Sequence, residues 1–158
     1  MKEPKFKDLS QKGKTRLINS IIINDTTELT FYVWEIESRK FGGIRKYVHT
    51  TKYSGPTPSG IVFSKKQIED LMKTLQENRE TIQIQRNQVE VEKIKKSYNK
   101  FIIISLKEST LDNNPVCIDI REHVKVPNYE GPTKKGFRFT VDQMDEFISN
   151  CEDLITYL

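Results

Sequence analysis

With only two cysteines and two histidines in 158 residues, several kinds of chemistry are excluded at the outset. Cys117 and Cys151 have no metal-ligand spacing and are too few for a disulfide scaffold, so they read as buried thiols in a reducing compartment. No apolar run exceeds four residues, as in Phe101-Ile102-Ile103-Ile104. A membrane-spanning helix needs about 20. The start Met1-Lys2-Glu3-Pro4-Lys5 also lacks the apolar stretch of a secretory signal. The expectation is an intracellular chain with no membrane partner, in a nucleus or in a prokaryotic or viral nucleic-acid compartment. There is no nucleophile elbow, phosphate-cradling glycine loop, metalloprotease helix or calcium loop. Nothing here suggests an enzyme, and no cofactor or metal is expected.

What is present is charge, unevenly spread. The net charge is only +4, but residues 1–16 carry six Lys/Arg against Glu3 and Asp8. Residues 83–100 add Arg86, Lys93, Lys95, Lys96 and Lys100 against Glu90 and Glu92. Acid collects near the C-terminus, at Asp142, Asp145, Glu146, Glu152 and Asp153. Segregation of this kind predicts a basic face suited to a polyanion and an acidic face opposite.

The most informative feature is an internal repeat. Sliding the chain by 76 positions aligns Ile44–Gln67 with Ile120–Gln143 without a gap, and ten of those 24 positions are identical. They include Ile44/Ile120, Arg45/Arg121, Tyr53/Tyr129, Gly55/Gly131, Pro56/Pro132, Thr57/Thr133, Gly60/Gly136, Phe63/Phe139 and Gln67/Gln143. Upstream, a shift of 70 pairs Phe31-Tyr32-Val33-Trp34 with Phe101-Ile102-Ile103-Ile104. The second copy then gains a loop six residues longer, assigned to Ser109–Pro115.

Each copy reads as four strands and a helix. The strands are expected near 19–24, 29–37, 43–50 and 59–63, and near 88–95, 99–107, 116–124 and 135–139. Period-two alternation puts Tyr32, Trp34 and Ile36, and likewise Ile102, Ile104 and Leu106, on the core faces. Phe41-Gly42-Gly43-Ile44 reads as a turn. So do Thr51–Ser59 and Pro127–Lys134, which contain Gly and Pro. Helices are expected over 64–78 and 140–157. Ser64-Lys65-Lys66-Gln67 and Thr140-Val141-Asp142-Gln143 are capping-box patterns. Behind them run the apolar stripes Ile68, Leu71, Met72, Leu75 and Met144, Phe147, Ile148, Cys151. Domains this small cannot bury such stripes alone, so the copies should pair through their helices. The organisation is a basic arm over 1–18, a first repeat over 19–80, a linker over 81–87 and a second repeat over 88–158.

On the third strand of each copy, Arg45, Tyr47 and His49 alternate to one side, as do Arg121, His123 and Lys125. Cations that neutralise phosphate, beside flat rings on which bases stack, are what a sequence-tolerant single-strand groove needs. Lys52, in the turn after the first copy's third strand, and Arg138, on the second copy's fourth strand, are further candidates. No helix presents a basic face for duplex reading. Nothing senses a 2′-hydroxyl, so RNA is the alternative ligand to DNA. A protein-docking coregulator, using the acidic helix and basic arm toward transcription or replication proteins, is the alternative of a different class.

The run Ile118-Asp119-Ile120-Arg121-Glu122-His123, then Gly131-Pro132-Thr133-Lys134-Lys135-Gly136-Phe137-Arg138-Phe139-Thr140 and Gln143, resembles the C-terminal domain of the transcriptional coactivator positive cofactor four. The likeness covers most of 99–158 and extends through the repeat to 19–78. The resemblance implies an α+β fold: two tandem ββββα repeats, each a curved antiparallel four-stranded sheet with a C-terminal helix. The tandem layout also resembles Pur-repeat and Whirly proteins, which implies an intramolecular pseudo-dimer, with further homodimerisation open. It implies binding of single-stranded DNA in transcription, replication or repair. Arg45 and Arg121 match the family's strand arginine, Lys134 and Lys135 its basic hairpin pair, and Tyr47 and His123 an aromatic position. Pro58 and Ser59 stand where the first copy would carry the basic pair, and Val48 and Val124 replace a family tryptophan.

Overall fold

A computed structural model describes residues 13–84, 89–108 and 116–158. The expected loop at 109–115, most of the basic arm and the end of the expected linker lie outside the described residues. The first half contains β1 (Lys14–Asn24), β2 (Thr27–Ile36), β3 (Arg39–His49), β4 (Ser54–Phe63), α1 (Lys65–Glu77) and the short α2 (Arg79–Ile84). The second contains β5 (Val89–Ser97), β6 (Lys100–Glu108), β7 (Val116–Val126), β8 (Tyr129–Thr140), a 3₁₀ turn (Val141–Gln143) and α3 (Met144–Ile155). Each set of four strands forms an antiparallel meander in chain order. The chain is therefore α+β, with a four-stranded antiparallel sheet followed by a helix in each half.

Both helix starts form where the capping boxes stand. The Ser64 amide donates to Gln67 Oε1 at 2.9 Å, and the Gln67 amide donates back to Ser64 Oγ at 3.2 Å. The Thr140 amide donates to Gln143 Oε1 at 3.1 Å, although the first turn behind it is 3₁₀. Every apolar stripe residue is buried.

Those stripes enter one core shared by both halves. The Phe147 ring of α3 stacks on Phe139 at 4.2 Å and lies 5.5 Å from Phe31 of β2. Residues of α3 pack on β1 and β2, α1 packs against both α3 and β5, and β4 lies beside β8. Asn19 Nδ2 donates to Asp153 Oδ2 at 2.9 Å, and Gln143 Nε2 donates to the Ile22 carbonyl at 3.0 Å. Each fully buried aliphatic or aromatic side chain contributes about 1.5–3 kcal/mol. The halves thus hold each other by the same means that hold each one together.

Several expectations are corrected. The first strand begins at Lys14 rather than 19, and α2 occupies the start of the expected linker, where Ile82 is buried in the core. The core face of β2 is Leu29, Phe31 and Val33, not Tyr32, Trp34 and Ile36, which lie on the outer face with Phe41 and Val62. The second half keeps the expected face, with Ile102, Ile104 and Leu106 in the core. Phe31 stands opposite Ile44, and Ile104 opposite Ile120, so the second strands correspond at an offset of 73. The extra loop is three residues longer, not six.

Gly42 and Gly43 are not a turn but the middle of β3. A side chain at Gly42 would strike Ile68 of α1 and Leu154 of α3, and one at Gly43 would strike the Tyr32 ring. The turn lies at Glu37-Ser38, both with positive φ, which suits a tight two-residue hairpin. The expected turns 51–59 and 127–134 shrink to Thr50–Tyr53 and Pro127-Asn128, because β4 and β8 begin early. Each of these strands lies at the edge of its sheet, where proline is tolerated within a strand.

Candidate nucleic-acid interface

The repeated residues build one device twice. Opposite the three residues Arg45–Tyr47 of β3, strand β4 uses five, Gly60 back to Pro56, so Thr57–Ser59 form a bulge. The same bulge, Thr133–Lys135, stands between Gly136 and Pro132 opposite Arg121 and His123. The Arg45 Nη1 donates to the Thr57 carbonyl at 3.0 Å, and Arg121 Nη1 to the Thr133 carbonyl at 3.0 Å. Thr57 Oγ1 donates to the Lys46 carbonyl at 2.8 Å, and Thr133 Oγ1 to the Glu122 carbonyl at 2.9 Å. The Tyr53 and Tyr129 hydroxyls close the entry by donating to the carbonyls of Pro56 and Pro132. A Cβ on Gly60 or Gly136 would meet the arginine side chain at 2.8–2.9 Å. Six of the ten repeated identities, Arg, Tyr, Gly, Pro, Thr and Gly, thus serve this clamp.

The two arginines are therefore scaffold as well as charge. Arg45 is only 5% exposed, and its Nε donates to the Tyr32 hydroxyl at 3.2 Å. Arg121 faces a carboxylate instead: its Nη2 lies 3.0 Å from Asp119 Oδ1, which also accepts from Arg138 Nε at 2.9 Å. Asp119 is buried, so both guanidinium groups are held in place by one carboxylate.

Around each clamp the outer face carries rings and cations. In the first half Tyr47 and His49 lie side by side, centroids 4.9 Å apart. His49 is half-exposed and reaches Glu28 Oε2 at 3.2 Å. Lys52 is exposed in the following turn. In the second half His123 stands opposite Phe101, whose ring is covered by Lys93 Nζ at 4.1 Å. Burial pushes the His123 pKa below its ordinary value, against the opposing pull of Asp119 and Glu90. The neutral imidazole is favoured, a ring rather than a cation. Lys125, Lys134 and Arg138 are exposed and Lys135 is partly buried. Lys134 and Lys135 lie on the β8 bulge, not in a hairpin turn.

The structure thus brings Arg45, Tyr47 and His49 onto one face, and Arg121, His123 and Arg138 onto the corresponding face of the second sheet. Phe101 and Lys93 were missed by the sequence reading. With the second strand offset by 73 rather than 70, Phe101 would have fallen beside His123. Among the described residues no His/Cys/Asp/Glu cluster could hold a metal ion, and no helix is long and apolar enough to cross a membrane. Comparison with models of known protein families and with curated protein sequences finds no match.

Proposed function

We propose that this chain binds single-stranded nucleic acid, DNA in the first instance, across the outer faces of its two sheets, and acts by binding rather than by catalysis. The two halves work as an intramolecular pseudo-dimer, a reading supported by the core they share. The observation that carries the proposal is the recurrence of rings beside exposed cations on the two outer faces: Tyr47 and His49 with Lys52 in the first half, and His123 with Lys125 and Arg138 in the second. Rings with one open face stack bases of any identity, and the neighbouring cations neutralise phosphate. Lys93 and Phe101 widen the second row.

The likeness of Ile118–Gln143 to the coactivator domain supports the same reading and suggests melted DNA in transcription, replication or repair as the context. The arginine clamps belong to this function indirectly. They shape the bulges from which Lys134 and Lys135 project, so loss of a clamp should disturb the bulge cations as well as the arginine itself. The test is a titration with matched single-stranded DNA, duplex DNA and RNA at two salt concentrations. Tightest binding to the DNA single strand, weakened by salt, is expected; preference for RNA would reassign the ligand. Failure to bind any of the three at low salt would favour the protein-docking alternative.

A further inference from the structure

The bulged strands leave a cleft of about 300 Å³ between the halves. Its first-half wall is Ile23, Thr27, Lys46 and Ser59, and across it stand Arg121, Gly136 and Arg138. Comparison with the corresponding place in the other half shows why it is open. There Glu122, the counterpart of Lys46, is 1% exposed and sits among lysines: Lys96 Nζ at 2.8 Å and Lys100 Nζ at 3.6 Å. Lys96, Lys100 and Lys135 are the counterparts of Ile23, Thr27 and Ser59. One half has thus filled the place with its own carboxylate and long cationic side chains. The other has short walls, a lysine in the carboxylate's position, and Arg138 facing it where the pseudo-symmetric site has Val62.

We infer that this cleft is a phosphate subsite, in which a ligand phosphate sits among Lys46, Arg121 and Arg138 as the Glu122 carboxylate sits among lysines. The carboxylates nearby already have cationic or imidazole partners. Asp119 accepts from both arginines, and Glu28, on the cleft wall, is bound by His49 at 3.2 Å. Three cations against these two carboxylates leave the cleft one positive charge in excess. Low-dielectric walls from Leu29 and Phe137 strengthen the attraction of an anion to it. The subsite deepens the nucleic-acid reading and rests on it only for the source of the phosphate, a strand backbone rather than a free anion.

The experiment is an amide-resolved NMR titration of the full chain, first with inorganic phosphate and then with an oligothymidylate single strand. Phosphate is expected to shift the amides of Thr27, Lys46, Ser59, Gly136 and Arg138, with Tyr47 and His49 unmoved. Lys46 is exposed, so Lys46→Glu should keep the fold, abolish those shifts and weaken oligothymidylate about tenfold, or 1.4 kcal/mol. Lys46→Arg should retain both. Absence of phosphate shifts in the cleft, or shifts unchanged in Lys46→Glu, overturns the subsite. If oligothymidylate binds both proteins equally, the subsite falls while the nucleic-acid reading stands. If phosphate moves the cleft amides but oligothymidylate binds no better than phosphate, the subsite stands and that reading falls.

Discussion

In the first half a tyrosine on the second strand covers a glycine on the third; in the second half the same two places hold a serine and an aspartate. Tyr32 stands opposite Gly43, and Ser105 opposite Asp119. Both arrangements hold an arginine against a bulge of identical design, one through a phenol and the other through a buried carboxylate shared with Arg138. The backbone device is the same in both halves while the group that supports it differs. The first outer face is aromatic at Tyr32, Trp34 and Phe41, and the second carries the ion pairs of Asp119 with Arg121 and Arg138.

The comparison breaks most severely if the halves are separated. Residues 89–158 alone should fail to fold as a monomer, because Phe147, Cys151 and Leu154 would lose the core they share with Phe31 and α1. Circular dichroism melting with sedimentation checks this, and a cooperative monomeric transition would contradict it.

Next in size is the pair of clamp supports. Asp119→Ala should destabilise the chain by about 1.5–3 kcal/mol, since it removes charge-assisted hydrogen bonds from two guanidinium groups that keep part of their solvent. Tyr32→Phe, which removes one hydrogen bond from Arg45, should cost only about 1 kcal/mol. Urea unfolding of the two variants measures the contrast, and equal losses would mean that the two supports are interchangeable.

The binding contrast is smaller. If the Thr133–Lys135 bulge lies on the ligand path, alanine at both Lys134 and Lys135 should flatten the log–log salt slope by about 0.7 per lost phosphate contact. Substitution of Pro58, the first-half counterpart of Lys134, should leave the slope unchanged. An unchanged slope in the lysine double variant would take the bulge off the path.

Smallest is the pH effect of His123. Burial lowers its folded pKa from the ordinary 6.5, so the unfolded chain binds the proton more readily. Its contribution to stability is complete above 6.5 and is lost as the pH falls from there through the folded pKa. An imidazole proton titration by NMR should place the His123 midpoint below 6.5; a midpoint above it would mean that Asp119 outweighs burial.

Much of this was legible beforehand where one residue type has one use. The hydroxyl-x-x-Gln patterns located both helix starts, and the stripes Ile68–Leu75 and Met144–Cys151 gave their buried faces. The strand faces were not legible in the first half, because β2 is buried on both sides from Leu29 to Trp34 and alternation has no polar phase to follow. Gly42-Gly43 imitates a turn, although its missing side chains make room for α1, α3 and Tyr32. Gly-Pro-Thr likewise reads as a loop until the strand is known to lie at an edge. At the candidate site, alternation gave the facing of Arg45 and Arg121 but not their neighbours. The clamp depends on carbonyls of a bulge that no periodicity reveals.

The central claim is that the repeated outer faces bind a single strand by stacking and phosphate neutralisation. The measurement that bears on it most directly is fluorescence anisotropy of oligothymidylate, and of a duplex of equal length, across a salt series. Tighter binding of the single strand, with log affinity falling linearly as log salt rises, is the predicted result. Equal affinity for the duplex, or an affinity indifferent to salt, would contradict it.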